Sequence, residues 1–258
     1  MNLYFKYFLI HIKSQMQYKA SFFMTAIGQF LTSFGALLGI YFLMIRFNRV
    51  EGFTLDEVLL CFSIVLMAYS IVECFGRGLD LFPNLIRSGE FDRIMVRPRN
   101  TVFQVIASKM DFTKIGRLLQ AVMVLSYVIV KGKIIWNYKR VITLILMIGS
   151  GACIFFGLFL IYAALSFFTI EGLEFMNIFT DGGREFASYP LSIYGKGILK
   201  FFTYVIPFAL FQYYPFLFLI GRSDNTIYMC YPILALLFLM PCYIIWRIGL
   251  RNYTSTGS

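Results

Sequence analysis

Residues 22–45 read FFMTAIGQFLTSFGALLGIYFLMI and contain no charged side chain. The hydrocarbon core of a bilayer is about 30 Å thick and a helix rises about 1.5 Å per residue, so about 20 consecutive apolar residues cross it. This run is long enough, and it lacks the alternation of a barrel strand. Because only helices and closed barrels satisfy their backbone groups in lipid, the run predicts a transmembrane helix.

Five more apolar runs follow, so the chain is predicted to contain about six transmembrane helices. The composition agrees, because 59% of the 258 residues are hydrophobic and 14% are charged, against about 45–50% and about 25% in soluble domains. A soluble fold of this size could not bury so much apolar surface. We therefore expect an all-α integral membrane protein. The five runs are residues 59–72 with their flanks, 118–130, 141–168, 201–220 and 227–246.

The distribution of lysine and arginine predicts the orientation, because these residues are retained on the cytoplasmic side. With the N-terminus inside, 16 of the 23 lysines and arginines fall in inner segments and seven in outer ones. The four in residues 131–140 oppose this trend locally. We expect a multi-pass protein of the cell membrane, in a bacterial plasma membrane, with both termini in the cytoplasm.

The net charge of +10 does not indicate a nucleic-acid partner. The basic residues lie in short connections beside apolar runs, where topology and anionic lipid headgroups explain them. Membrane lipid is therefore the expected partner of these charges. The cysteines are odd in number and scattered, and they form no disulfide framework or metal motif. They are Cys61, Cys74, Cys153, Cys230 and Cys242.

No catalytic motif is present in the sequence. It lacks a phosphate loop, a zinc-protease HExxH motif, a GxSxG elbow and any His and carboxylate cluster with metal spacing. We expect no catalytic residue, no metal and no bound cofactor. Glu73 is the one candidate for an intramembrane acid, and its position near the inner end of the second span favours an ion-paired or snorkelling side chain over an ion path.

Residues 1–20 predict an interfacial helix and lack the continuous apolar core of a signal peptide. The helix would lie along the inner leaflet until the chain turns upward near Ser21. His11 would belong to its polar rim, with Lys6, Lys13 and Lys19. The apolar face would consist of Leu3, Phe5, Phe8, Leu9, Ile12 and Met16.

Residues 79–100 predict a firm, amphipathic cytoplasmic elbow between spans two and three. Pro83 is suited to the start of a short helix, and Gly89 to a left-handed cap at its end. A second turn would follow, with Phe91, Ile94 and Met95 on one side and Glu90, Asp92 and Arg93 on the other, and Pro98 would end it. Thr101 and Gln104 would form a capping box that opens a long third helix. An ordinary surface helix is an equally open interpretation.

Three stretches resemble the six-span permeases of the ABC-2 type, an exporter-like class of ATP-binding-cassette transporters. Together the stretches extend this resemblance over nearly the whole chain. The first reads IRSGEFDRIMVRP at residues 86–98, the second YPLSIY at 189–194 with IPF at 206–208 and YP at 214–215, and the third GLRNYTS at 249–255.

Membership of that family would imply a single permease domain over residues 1–258 that pairs with a second permease, either the same chain or a related one. A separate ATPase subunit would bind ATP and Mg and dock from the cytoplasm. The elbow would then be the coupling element that ATP-driven closure moves. The residues implied in this coupling are Gly89, Glu90, Phe91, Asp92, Arg93, Ile94, Arg97 and Pro98.

Two stripes of small residues predict close helix packing, either inside the subunit or against a second subunit. The first lies in span one and includes a GxxxG pattern. The second lies in span four. The first stripe consists of Gly28, Thr32, Gly35 and Gly39, and the second of Gly149, Cys153 and Gly157.

Residues 201–226 predict a broken or re-entrant outer region, because prolines interrupt the helix at a depth where unpaired backbone is costly. An aromatic-rich lining of the translocation path would fit there, although membrane-interface belts also explain many of these rings. The candidate path residues are Tyr204, Pro207, Gln212, Tyr213, Tyr214 and Pro215.

These observations favour a permease subunit that moves an unidentified small or amphiphilic solute outward. Two other functions stay open. A secondary transporter would need no ATPase, and a membrane anchor or sensor subunit would carry no flux.

Overall fold

The computed structural model describes residues 3–47, 50–132, 134–169 and 173–254. Parts of the sequence considered above lie outside these residues: 1–2 of the interfacial segment, Arg49 and Lys133 of the outer connections, and Ser255 of the last stretch. The side chain of Leu3 is also not described.

The described chain consists of helices. No strand occurs in the described ranges, and the one bridge found there joins Val50 and Phe53. The first seven helices are α1 (Leu3–Gln15), α2 (Lys19–Phe47), α3 (Leu55–Phe75), α4 (Arg77–Asp80), α5 (Phe82–Arg87), α6 (Glu90–Met95) and α7 (Thr101–Ser108). The others are α8 (Ile115–Lys131), α9 (Tyr138–Leu165), α10 (Asp181–Ala187), α11 (Lys196–Tyr204), α12 (Phe208–Phe211), α13 (Tyr213–Leu219), α14 (Tyr231–Ala235) and α15 (Leu239–Asn252).

Within the described ranges, five helical segments are long and apolar enough to cross a membrane, and a sixth is present if one bent pair counts as a span. The bent pair joins Lys196–Tyr204 to Phe208–Leu219 at an angle of 88°. These segments confirm an all-α membrane protein with the predicted number of spans. The five are Tyr4–Phe47, Leu55–Phe75, Phe112–Lys131, Tyr138–Leu165 and Thr226–Asn252.

Helix α3 lies at the centre of the bundle. Its most apolar window is 83% buried, against 17% for the segment that contains α2 and 22% for the one that contains α15. Its start is fixed by a capping box, in which Thr54 N–H donates to Glu57 Oε2 at 2.7 Å and Glu57 N–H donates to Thr54 Oγ1. Helices α8 and α9 pack along it, so α3 is the element against which the other spans are placed.

The predicted long third helix is interrupted. Helix α7 ends at Ser108, and the span begins only at a 3-10 turn, Phe112–Lys114. At the break Gly78 N–H donates to Lys109 O at 3.1 Å, and Asp111 N–H donates to Cys74 O at 3.0 Å. The backbone thus bonds to the end of α3 and the start of α4 instead of continuing a helix.

The predicted capping box at the start of α7 is wrong. The N-cap is Asn100, whose Oδ1 accepts from Phe103 N–H at 3.3 Å. Gln104 instead donates from Nε2 to Ile94 O and Arg99 O, at 3.2 and 3.1 Å. Asparagine is among the best N-cap residues, so it replaces Thr101 in that role.

Helix α1 is continuous in helical structure with α2 through the 3-10 turn Met16–Tyr18. It packs on the chain around α7 through part of the predicted apolar face. Phe5 and Leu9 are exposed, whereas Tyr4, Phe8, Ile12 and Met16 pack on a small cluster of Phe22, Met110 and Phe112.

His11 is not on a solvated rim, because its Nε2 lies 2.9 Å from Ala107 O. Gln15 bridges the same segment, donating to Met110 O at 2.6 Å and accepting from Phe112 N–H at 3.0 Å. These contacts satisfy backbone groups that the break after α7 leaves without helical partners.

Candidate functional site

The elbow between α3 and α7 is built from three short helices, α4, α5 and α6. Gly89 separates α5 from α6 and has φ +70°, the left-handed conformation expected from the sequence. Pro83 lies in the first turn of α5. The elbow is therefore a defined backbone path and not an irregular loop.

Five aromatic rings fasten the elbow to the C-terminal ends of α9 and α15. The Phe91 ring lies 4.9 Å from Phe82, 5.5 Å from Phe167 and 5.1 Å from Tyr253, measured between centroids. Trp246 lies 5.0 Å from Phe82 and 5.1 Å from Phe167. We call these rings, Phe82, Phe91, Phe167, Trp246 and Tyr253, the aromatic anchor. All five of these contacts are edge-on or tilted, which are arrangements that favour aromatic pairs.

Polar contacts supplement the aromatic anchor at its edge. Tyr253 Oη donates to Asp92 Oδ1 at 2.9 Å, and Trp246 Nε1–H donates to Thr101 Oγ1 at 3.4 Å. Burial and the hydrogen bond to Asp92 raise the pKa of Tyr253 to about 12. Its phenol is therefore protonated at neutral pH and remains the donor in this bond.

The outward side of the elbow is basic, with an apolar tip. Phe91 and Ile94 are buried, whereas Val96 is 83% exposed. Met95 is exposed as well, so its predicted place on the buried side is wrong. Because α6 is only six residues long, its buried face consists of Phe91 and Ile94, and Met95 lies on the exposed side. We call this side the elbow surface; its exposed members are Arg87, Glu90, Arg93, Met95, Val96, Arg97, Pro98 and Arg99.

Asp92 differs from its neighbours on α6, because its carboxylate contacts Tyr253 and is only half-exposed. The four arginines of the elbow surface make no ion pair with a described residue. Of the coupling residues implied by the sequence, Phe91, Asp92 and Ile94 therefore hold the elbow together. Glu90, Arg93, Arg97 and Pro98 face outward, and Gly89 sets the turn between the helices.

The predicted path residues do not converge on one surface. The helix does break before Pro207, with the 88° bend between α11 and α12. Tyr204 is 83% exposed, whereas Gln212 is fully buried and donates from Nε2 to Tyr189 O at 3.2 Å. Pro215 is buried inside α13.

Tyr213 and Tyr214 form a separate group with two tyrosines near the start of the last span. The Tyr214 ring lies 5.5 Å from Tyr228 and 5.3 Å from Tyr231. Tyr213 contacts Tyr214 at 5.4 Å. The rings contact one another, so the group packs as an aromatic cluster.

Glu73 forms an ion pair between helices, as the sequence suggested. Its two carboxylate oxygens lie 3.1 Å from Lys114 Nζ and 2.7 Å from Arg117 NH1. All three side chains are at most 15% exposed. The pair joins α3 to the start of α8, and it accounts for two of the basic residues that the sequence assigned to an inner connection.

Arg184 also lies inside the bundle, which sequence reasoning missed by assigning it to a loop. It is in α10, which packs on α3. Its guanidinium carbon lies 5.1 Å from the centre of the Tyr69 ring, and it pairs with Glu185. Tyr69 Oη in turn donates to Asp181 Oδ1 at 2.8 Å. The sequence signal for a buried polar position here is the short polar string DGGRE at residues 181–185, which lies between two apolar runs.

The stripe of small residues on α2 has no partner within the described chain. A Cβ added at Gly28, Gly35 or Gly39 would meet no atom within 4 Å. The second stripe, on α9, is open at one glycine and packed at another. A Cβ at Gly149 would also meet no atom within 4 Å, but a Cβ at Gly157 would lie 3.0 Å from Cys242 Sγ. Packing inside the subunit therefore explains Gly157 and leaves the α2 stripe open.

The described residues contain no group of three or more His, Cys, Asp or Glu side chains that could hold a metal ion. All five cysteines are free. The polar chemistry of the described chain thus consists of ion pairs, amides and hydroxyls.

A family model described as "ABC-2 family transporter protein" matches residues 30–257. The matched range includes the elbow, the aromatic anchor and every span after the first turns of α2. The comparisons with curated proteins and with solved structures each found no match.

Proposed function

The chain belongs to the ABC-2 family of transporter proteins, and from this premise we propose that it is the permease subunit of an ATP-driven exporter. It is a multi-pass membrane protein and a transport component of the membrane. The partner would be a separate ATPase subunit that binds ATP and Mg, and the cargo a small or amphiphilic solute. The termini and the elbow would face the cytoplasm of the cell.

The observation that carries this proposal is the division of the elbow into two sides. Its inner side is locked to the ends of α9 and α15 by the aromatic anchor. Its outer side presents four arginines around an exposed Val96. A displacement of the elbow surface by a bound ATPase would reach α9 and α15 through the packed rings, because close-packed side chains transmit displacement.

The elbow surface suits an acidic groove on the ATPase that accepts an apolar tip. Arginine is the side chain best suited to pair with carboxylates at an interface, and the exposed Val96 and Met95 would supply the dry centre. Complementary charge mainly sets the rate and specificity of such docking.

Reversing the charge of Arg93 and Arg97 together should abolish recruitment of the ATPase. Both side chains are exposed and unpaired with described residues, so the change removes two attractions and introduces repulsion while the fold stays intact. We expect at least a tenfold loss, about 1.4 kcal/mol, in co-purification of the ATPase subunit that the wild-type permease recruits, at equal membrane abundance.

Arg247→Glu is the matched control for that double variant, because Arg247 is exposed on α15 and outside the elbow surface. It should co-purify like the wild type. Equal recruitment by the double variant and the control would contradict docking at the elbow.

A second permease subunit would pack on the open stripe of α2. Gly28, Gly35 and Gly39 leave the backbone of α2 accessible, and small residues let two helices approach closely in lipid. The partner would be a second copy or a related chain, and pairing would enclose the path between the two subunits.

Gly35→Leu should separate the paired subunits without unfolding either of them. A Cβ at Gly35 meets nothing in the subunit, and leucine is a better helix former than glycine by about 0.5–1 kcal/mol. Crosslinking of the purified complex should show a loss of the dimer band. Gly149→Leu, the same change at an open position of α9, should leave pairing unaltered; disruption by Gly149→Leu alone would move the interface to α9.

A further inference from the structure

A polar cavity lies inside the bundle, between α2, α3, α8 and α10. It offers about 50 Å³ to the centres of water-sized molecules, and one water needs about 10–15 Å³ by that measure. The cavity therefore holds roughly four waters or one compact polar group, and not a whole drug-sized molecule.

The lining of this cavity is unusually polar for a site among apolar spans. Three ionised side chains, those of Arg117, Arg184 and Glu185, meet the hydroxyls of Thr32, Ser33 and Ser188 there. Ionised groups at such positions are costly, and they commonly mark a path or a binding site. An ion-pair network that merely joins helices would instead leave its members fully paired.

Two hydrogen-bond donors near the cavity are not paired. Arg117 Nε and Gln120 Nε2 are buried and have no hydrogen-bond partner among the described residues. Gln120 is 2% exposed, and its Oε1 already accepts from Ser33 Oγ, a hydroxyl that lines the cavity. Buried donors without acceptors are rare in folded proteins, because each loses its hydration without replacement.

The cations beside these donors lie deeper in the protein than two of the three nearby acids. Glu73 is shared by Lys114 and Arg117, so that trio has a net charge of +1. Arg184 is only 16% exposed, but its partner Glu185 is 54% exposed and can turn toward solvent. Asp181 in the same helix is exposed and accepts the hydrogen bond from Tyr69. The deep groups around the cavity thus donate hydrogen bonds, and the nearby acids are either shared or exposed.

We infer that this cavity binds an oxyanion group, a phosphate or a carboxylate, through Arg117, Arg184 and the Gln120 amide. An oxyanion accepts several hydrogen bonds at once and matches the planar guanidinium. The inference rests on the proposed transport function. It adds that the polar part of the cargo is an oxyanion group small enough to fit the cavity. The same chemistry could come from a water-soluble anion or from the headgroup of an anionic lipid.

The position of the cavity suits this role. Thr32 lines the cavity and also belongs to the open stripe of α2. The polar site is therefore next to the face where a second permease would pack, so a bound headgroup would lie beside the path between two subunits.

The test uses the full-length permease alone, without an ATPase, so that failed docking at the elbow and a failed oxyanion site are distinguishable. In one arm, thermal unfolding in detergent is followed against increasing inorganic phosphate, with chloride at matched ionic strength. In the other arm, the protein is placed in phosphatidylcholine nanodiscs with or without phosphatidylglycerol. Stabilisation in the first arm identifies a soluble oxyanion as a ligand, and stabilisation only in the second identifies a lipid headgroup.

Three variants separate a specific site from general salt or lipid effects. Arg184→Gln and Gln120→Met should each weaken the stabilising binding by about tenfold, and Glu185→Gln should strengthen it by removing a competing carboxylate. Gln120→Met matters most, because without a ligand it removes a buried Nε2 donor that has no partner, while Ser33 Oγ keeps acceptors at Gln29 O and Phe30 O. The change should therefore be close to neutral without a ligand. Arg247→Gln, exposed on α15, is the control. The inference is overturned if neither arm stabilises the wild type, or if all variants respond like the wild type.

Discussion

Gly116→Val should prevent the protein from accumulating in a folded state in the membrane. A Cβ at this position would lie 2.0 Å from Ala26 O and 3.1 Å from Phe30 N, both backbone atoms of α2. Backbone of a packed helix cannot turn aside as a side chain can, so α2 and α8 would have to separate. Overpacking typically costs about 1–3 kcal/mol, and a clash with backbone should exceed the upper end of that range.

Separation of α2 from α8 would also break the hydrogen bond that Ser33 Oγ of α2 donates to Gln120 Oε1 of α8. The measurement is the fraction of monodisperse protein after extraction, together with the midpoint of thermal unfolding. Gly149→Val is the control, since a Cβ there meets nothing within 4 Å. Similar yields and midpoints for the two variants would show that the close approach of α2 and α8 is not required.

Phe91→Ala should uncouple transport from ATP hydrolysis more than it reduces recruitment of the ATPase. The Phe91 side chain is fully buried in the aromatic anchor, and truncation of a buried phenylalanine costs about 3–5 kcal/mol. The loss would fall on the contact between the elbow and the last span. The arginines of the elbow surface would remain exposed, so the ATPase would still bind.

Two further variants grade this effect. Tyr253→Phe keeps the ring and loses the hydrogen bond to Asp92, at a cost of about 0.5–1.5 kcal/mol. Val96→Ala changes an exposed tip and should leave unfolding unaltered within about 0.5 kcal/mol. Unfolding midpoints and transport per ATP hydrolysed should fall in the order Val96→Ala, Tyr253→Phe, Phe91→Ala. Wild-type coupling in Phe91→Ala would refute the aromatic anchor as the transmission element.

The transmembrane spans were predictable because each segment in lipid must satisfy its own backbone polar groups, and a helix does so without help from the other segments. Local backbone chemistry was predictable for the same reason. Gly89 adopts a left-handed conformation and the helix breaks before Pro207, since glycine permits a positive φ and proline lacks a backbone N–H whatever surrounds them.

Features that depend on distant partners were not predictable from the local sequence. The helix break at Lys109 depends on backbone bonds to Gly78 and Cys74. Its local signal is only Asp111, which caps the next turn by accepting from Thr113 N–H at 3.1 Å. The inward turn of Arg184 depends on Tyr69, 115 positions earlier in the chain. The aromatic anchor likewise gathers rings from residues 82 to 253, and only the folded chain reveals that they meet.

The aromatic anchor also sets an order for biogenesis. The hydrogen bond between Asp92 and Tyr253 spans 161 positions, and ribosomes add about 5–20 residues per second. About 8–32 s therefore pass between the synthesis of Asp92 in the elbow and the synthesis of Tyr253, the last residue of the aromatic anchor. During that interval Phe82 and Phe91 lack part of their cover, and a nascent chain offers the ATPase an elbow that is not yet fixed. Recruitment of the energy-supplying subunit should consequently follow completion of the final helix, so that only finished permeases are committed to assembly.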